Sequence, residues 1–397
     1  MGITMRVRRS FIVLAAAVAA IASTGCRENG AAVFSPADPG VLPDSLRQLT
    51  YSANLDLNPS WSRNSDTVYY SAMRFFDYPN VPSTLLRIGQ RGGLAELLIP
   101  RISPNAATTL VLPVMAPTRD RIAYVQLSAV LPPADCSRSA PANLANCVGT
   151  EPLLDTALLR VRPVASNTDL QSDAAVVIPM KGVDPARANG GALSYEQHAY
   201  PFQVAFTKSN DMLFRPTWSP DGSRLAFSDG LALRTWNGSE TGSHVIANTA
   251  SGVSPAWAPA GDRIAFARFI VDDSVRITCA CFEPPGPPAR DDPVPAHNRW
   301  FYHVSRTIIT LINADGSDPV ELTEGGEPAW SPDGQTIYFT RNASIYSIPA
   351  AGGTPAPIPG TALGRAPAVS PDGKWLAFAR YSADDRNADI WVKRLRE

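Results

Sequence analysis

An all-β fold, a six-bladed β-propeller of four-stranded antiparallel blades, is predicted by three observations. A signature built on Pro-x-Trp-Ser-Pro-Asp-Gly, complete at Pro216 and Pro328 and altered in the other copies, precedes an alternating apolar run six times. Its shortest spacing, 39 residues, occurs twice and is close to the length of one blade. The last copy is followed by too few strands for a complete blade, and a segment that matches the missing one lies ahead of the first copy.

Taken in order, the chain begins with a targeting segment at 1–26. Arg6, Arg8 and Arg9 form a positive start, and Phe11–Ala22 is an apolar run of 12 residues, short of the roughly 20 that span a bilayer. The run ends at Ser23-Thr-Gly-Cys26, where Gly before Cys has the form of a bacterial lipobox. Cys26 is therefore the expected lipid attachment site, with ordinary secretory cleavage nearby as the alternative. Residues 27–46 are rich in Gly, Ala, Pro and Asp and read as a flexible linker.

Residues 47–397 are the propeller. The repeats begin at Pro59, Pro113, Pro216, Pro255, Pro328 and Pro367, and their large apolar position holds Trp61, Met115, Trp218, Trp257, Trp330 and Val369. In the complete copies, as at Ser331-Pro-Asp-Gly334, Pro presets φ in the turn and Gly accepts the positive φ that ends it. The following run, Ile337 and Phe339 in that copy, alternates with the period of a strand. Third strands are expected at 85–88, 158–161, 232–236, 308–312, 345–348 and 390–392. Fourth strands are expected at 97–99, 176–178, 245–247, 320–323 and near Ile358. Arg47-Gln-Leu-Thr50 reads like Val320-Glu-Leu-Thr323. It is assigned to the last blade, closing the ring and removing its open edges.

Together these motifs resemble the TolB-type six-bladed propeller, whose repeat carries a Trp-Ser-Pro-Asp-Gly turn and ends in Leu-Thr. The resemblance covers about residues 45–397. The separate N-terminal α/β domain of TolB is not expected, since only about 20 residues separate Cys26 from the first strand. TolB-like propellers also occur with peptidases and in sugar-acting lyases, so the resemblance implies a fold and not a chemistry.

The spacings of 54, 103 and 73 residues between other repeats mean insertions. These fall at about 129–155, 182–211 and 271–305, with a shorter one at 74–82. In strand order they lie between second and third strands, or between one blade's last strand and the next blade's first. All four therefore leave the propeller on the face opposite the Ser-Pro-Asp-Gly turns. Loops on a rigid scaffold are where binding concentrates. Their aromatic and histidine residues, Phe75, Tyr78, Tyr195, His198, Tyr200, Trp300, Tyr302 and His303, are the candidate binding residues. Packing of the loops onto the propeller is the plainer role for each of them.

Catalytic motifs are absent from the sequence: there is no Gly-x-Ser-x-Gly elbow, and the four histidines have no helical metal-ligand spacing. No cofactor or metal is expected. The turn acids Asp221, Asp333 and Asp372 are assigned to architecture, and Asp272, Asp273, Asp291 and Asp292 to a solvated loop. In an oxidising compartment Cys136 and Cys147 are expected to form a local disulfide. Cys279 and Cys281 are left open among free thiols, a strained bridge and a cross-loop pairing. Formal net charge is −1, which gives no reason to expect nucleic acid. The leading expectation is a lipid-anchored binding or scaffold protein of the bacterial envelope, on the outer membrane, holding a protein or peptide. The alternative is a polysaccharide-acting lyase or hydrolase with its site in the propeller funnel.

Overall fold

Five of the six repeat signatures place the proline inside the first strand of a blade-like unit, and Pro216 stands just before its strand. A central strand cannot tolerate this, because proline donates no ladder hydrogen bond. The computed structural model answers the problem with a bulge. It describes residues 46–52, 55–73, 84–99, 108–130, 153–165, 172–178, 215–229, 232–278, 298–383 and 387–395, with backbone alone at 73, 108, 128–130, 153–156, 271–278 and 298–305. All of them belong to one compact unit, Val33–Glu397.

The fold is an all-β propeller of antiparallel four-stranded sheets. Chain order begins with β1 (Leu46–Gln48), β2 (Leu55–Trp61), β3 (Thr67–Met73), β4 (Thr84–Gly89) and β5 (Glu96–Leu97). Next come β6 (Thr108–Met115), β7 (Arg121–Val130), β8 (Leu153–Pro163) and β9 (Ala174–Val177), then β10 (Thr217–Trp218), β11 (Leu225–Ser228), β12 (Leu233–Trp236) and β13 (His244–Val245). Then follow β14 (Gly252–Trp257), β15 (Arg263–Thr278), β16 (Asn298–Asn313) and β17 (Val320–Glu324), and β18 (Gly326–Trp330), β19 (Thr336–Arg341), β20 (Ser344–Pro349) and β21 (Ala356–Pro357). The chain closes with β22 (Gly364–Val369), β23 (Trp375–Tyr381) and β24 (Ala388–Arg394).

Four sheets stand as separate four-stranded units: β6–β9, β10–β13, β14–β17 and β18–β21. The hydrogen-bond pattern does not draw the expected six separate sheets. It joins β22-β23-β24 to β2-β3-β4-β5 in one eight-stranded sheet. The physical cause is small: one parallel pairing, Leu55 with Ala388, bridges β2 and β24. β1 pairs antiparallel with β24, Leu46 opposite Lys393 and Gln48 opposite Trp391. Leu49 N–H continues the ladder to the Ile390 carbonyl at 2.7 Å.

The bulge recurs at the repeat proline. Register shifts between Leu57 and Ser60, Val111 and Val114, Val253 and Ala256, Gly326 and Ala329, and Arg365 and Ala368. The residue before the proline has positive φ in each case: 54° at Asn58, 56° at Leu112, 51° at Ser254, 53° at Glu327 and 52° at Ala366. Such values are uncommon outside glycine and mark an imposed conformation. The proline falls within the register shift, where the ladder is interrupted, so its missing N–H costs no ladder bond.

The turns explain the rest of the signature. Ser219 Oγ donates to Asp221 Oδ1 and accepts from Arg224 N–H at 2.9 Å, while Asp221 Oδ1 also accepts from Ser223 N–H at 3.0 Å. Asp333 and Asp372 do the same for Gln335 and Lys374. The Ser219 hydroxyl, then the Ser223 amide and hydroxyl, hold the Asp221 carboxyl down at about 2. These acids are turn caps. Gly222, Gly334 and Gly373 have φ of 68°, 68° and 69° and return their N–H to the serine carbonyl.

Neighbouring sheets pack through apolar clusters. Tyr69, Leu85 and Leu110 join β2–β5 to β6–β9; Ala226, Ile246 and Phe266 join β10–β13 to β14–β17. Tyr338, Ile345 and Phe378 join β18–β21 to β22 and β23.

Candidate functional site

Residues in or beside six strands, β2, β6, β10, β14, β18 and β22, line one cavity of about 410 Å³. The repeat supplies its wall in layers. Pro117, Pro259, Pro332 and Pro371 are exposed and form the rim. Trp61, Met115, Trp218, Trp257, Trp330 and Val369 form the wall below them. The repeat prolines Pro59, Pro113, Pro216, Pro255, Pro328 and Pro367 are buried beneath that wall.

The tryptophans are held by their indole N–H groups. Trp61 Nε1 donates to the Ala368 carbonyl at 2.9 Å, Trp218 to Val114 at 3.1 Å and Trp330 to Ala256 at 3.0 Å. Each acceptor belongs to the neighbouring first strand, one residue before its large apolar position. Trp257 departs from this, donating to Gly261 of its own turn at 3.1 Å. The Arg224 guanidinium lies 5.0 Å from the Trp257 ring centre, and Arg121 lies 5.2 Å from that of Trp218, both within cation–π reach.

The charged residues of the lining are Arg63 and Arg215. Arg63 Nη1 meets Asp120 at 3.0 Å in an exposed pair. Arg215 lies deep, and burial lowers its pKa, opposed in part by Glu327. Its Nη2 donates to the Pro367 carbonyl at 3.3 Å, while Nη1 has no hydrogen-bond partner among the described residues. Asn58 is 4% exposed, and its Nδ2 is likewise unpartnered.

The described lining of this cavity contains none of the expected binding residues. Phe75, Tyr78, Tyr195, His198 and Tyr200 are outside the described residues, as are Cys26, Cys136 and Cys147. Trp300, Tyr302 and His303 fall on β16, whose backbone pairs them with Arg276, Ser274 and Asp273 of β15. The β15–β16 hairpin runs to Thr278 opposite Asn298, so the 271–305 insertion is entered and left by a paired arm. Residues 131–152 likewise follow β7 and precede β8. Among the described residues no group of three or more His, Cys, Asp or Glu is placed to hold a metal ion, and no helix is long and apolar enough to cross a membrane.

Sequence reasoning assigned the turn face to architecture and reached the propeller funnel only as the site of the enzyme alternative. The signal was there: a proline two residues before the large apolar position in every copy. The prolines and tryptophans that shape the repeat also line its open end.

Fold and cavity define a β-propeller protein. No protein-family model matches the chain, and no curated protein matches it. Among solved structures it is similar to TolB from Acinetobacter baumannii, with 14% identity over 84% of this chain and a TM-score of 0.46. The chain spans 65% of that TolB chain. It is also similar to an oligogalacturonate lyase from Vibrio parahaemolyticus, with 11% identity over 89% of this chain and 94% of the lyase, TM-score 0.41. A chain of a nidogen/laminin complex gives 9% identity over 75% of this chain and 82% of its own length, TM-score 0.40.

Proposed function

We propose that this chain is a lipid-anchored binding or scaffold protein of the bacterial envelope, built on a six-bladed propeller. The blades are counted as β2–β5, β6–β9, β10–β13, β14–β17, β18–β21 and β22–β24 with β1, so that the N-terminal strand completes the last blade. One observation carries the binding reading. The stretches 74–83, 131–152 and 279–297 each connect the second and third strands of a sheet, and 179–214 connects β9 to β10. In alternating antiparallel strands all four leave from the same ends, opposite the Ser-Pro-Asp-Gly turns. That face holds a protein or peptide partner, with the aromatics of the insertions as its anchors.

The anchor rests on the leader: three arginines, a short apolar run and Gly25-Cys26. Incorporation of a palmitate analogue that Cys26→Ser abolishes is the expected result, with the labelled protein in the outer-membrane fraction. The binding face is tested by capture from envelope extracts, comparing the intact chain with a variant in which 182–211 is shortened. Selective loss of a partner supports the reading. Equal recovery of every partner removes it, and cleavage of an envelope polysaccharide by the purified protein would replace it with the enzyme alternative.

A further inference from the structure

From the junction of β1 with β24 we infer a pH-sensitive latch: Asp56 and Asp389 clasp one closing segment, residues 48–52, and hold it shut only while the pair keeps a proton. The hydrogen bonds define the clasp. Asp389, on β24, accepts from Gln48 Nε2 at 2.9 Å through Oδ2, and from Thr50 Oγ1 and Ser52 N–H, both at 3.2 Å, through Oδ1. Asp56, on β2, accepts from Ser52 Oγ at 3.0 Å. The amide and the hydroxyl of one residue, Ser52, therefore bind two different carboxyls. Thr50 Oγ1 also accepts from Ile390 N–H at 2.9 Å, and Asn387 Nδ2 donates to the Ser52 carbonyl at 3.4 Å.

Two carboxylates within reach of the same residue repel, and burial removes the water that would screen them. Asp56 has no exposed surface. Among the described residues, no lysine or arginine acts on either carboxyl. Arg380 stands opposite Asp389 in the β23–β24 register, but its guanidinium donates to the Ala362 and Gly360 carbonyls and lies 4.4 Å from the Trp391 ring centre. Arg47, on β1, donates to the Gln90 and Arg91 carbonyls at 2.9 and 3.5 Å. The other titratable neighbours are Tyr51 and Tyr70. Burial, and then the acids themselves, push both hydroxyls upward, so they stay neutral.

Asp389 has three donors from the segment, and Asp56 is met by hydroxyls alone, so Asp389 ionises first and Asp56 keeps the last proton. Burial lifts Asp389 to about 6 and Asp56 to about 7. An opened segment returns both acids to water, where they ionise near about pH 4. Folded values above solvated ones make closure firmest at acid pH and weaker as pH rises through the folded values. Release of β1 relieves the second charge with the least disruption, because β1 pairs with β24 alone, while β24 also pairs with β23. On the reading that Cys26 carries lipid, opening adds residues 46–52 to the tether; the test below does not depend on that reading.

The test is hydrogen–deuterium exchange of the exported protein between about pH 5 and about pH 8, with each rate corrected for the intrinsic pH dependence of amide exchange. Protection over residues 46–52 is expected to fall at least tenfold across this range. At the higher pH, low urea should leave that protection unchanged while lowering it over β19, because local opening exposes little surface and global unfolding much. Asp56→Asn, the neutral isostere, is expected to keep the acid-pH protection at the higher pH. If that variant fails to fold, the pH and urea dependences of the wild type decide alone. Constant protection over 46–52, a urea dependence there equal to that of β19, or an unchanged fall in the folded variant overturns the latch.

Discussion

Trp61 Nε1–H donates to the carbonyl of Ala368 at 2.9 Å, across 307 residues of chain. The bond ties β2 to β22 on the turn face. On the opposite side of the same junction, β1 pairs with β24. Replacing Trp61 with Phe keeps most of the apolar wall and removes the donor, leaving the Ala368 carbonyl without it. A loss of about 1–2 kcal/mol is expected, measured by urea unfolding. Trp257→Phe, whose bond stays within its own turn, should separate no sheets. Unequal urea slopes for the two variants, with Trp61→Phe broadening the transition, would be its signature, and identical curves would argue against a junction role.

Asp56 provides a pH prediction. It is completely buried, and burial, followed by contributions that include the neighbouring Asp389, pushes its carboxyl up to about 7; burial also raises Asp389, to about 6. Asp389 accepts from Gln48, Thr50 and Ser52, while Asp56 Oδ1 and the nearby Tyr70 hydroxyl have no partner among the described residues. Folded values above unfolded ones mean that the folded protein holds protons the unfolded chain releases. Stability is therefore greatest below about pH 4 for this pair and falls as pH rises toward 7. The Asp56 contribution is on the order of 4 kcal/mol. Asp56→Asn should flatten the profile and raise the unfolding midpoint at about pH 8. A profile parallel to that of the wild type would refute the assignment.

Gly222 separates conformation from crowding. A Cβ there would lie well inside van der Waals contact with Thr118 Oγ1 and sits at positive φ, while at Gly334, with the same φ of 68°, the nearest atom is Pro259 Cδ at 3.9 Å. Gly334→Ala should cost about 1 kcal/mol from backbone strain alone. Gly222→Ala should cost more, and the excess should vanish on a Thr118→Ala background. Equal melting shifts for the two glycine variants would rule out the steric part.

Removing residues 46–50 takes β1 away from β24. The Leu49 ladder bond and the Thr50 Oγ1 bonds to Ile390 N–H and Asp389 go with it. The bared edge of β24 is a template for intermolecular pairing. The truncated protein should unfold at lower urea and form soluble oligomers, read by light scattering. A monomer of unchanged stability would show that β1 is dispensable.

Much of this fold was legible because turn chemistry repeats. Trp-Ser-Pro-Asp-Gly fixes a reversal by φ preference and local hydrogen bonds, so each copy locates two strands without knowledge of the rest. The pairing of β1 with β24 was legible from the likeness of Leu49-Thr50 to Leu322-Thr323. The lining of the cavity was legible only in part. Asn58 and Arg215 share a position before the repeat proline but no residue type, and the bulge at Asn58 has no counterpart at Arg215. The fused sheet was invisible, since one parallel pair, Leu55 with Ala388, has no local pattern. The aromatic residues of the insertions carry no periodicity that ties them to a partner strand, apart from those on β16.

The pairing of β1 with β24 also sets a clock. Thr50 and Asp389 stand 339 residues apart in the chain, so β1 leaves the ribosome long before its partner β24. At roughly 5–20 residues per second, residues 46–50 wait on the order of 20–70 s for their partner. Sheets made of consecutive strands can form as they are synthesised, while the joint between β1 and β24 must wait for the later strand. A delay imposed late in translation would prolong that vulnerable interval, and a chaperone that shields a nascent strand would be needed most at the very start of the domain.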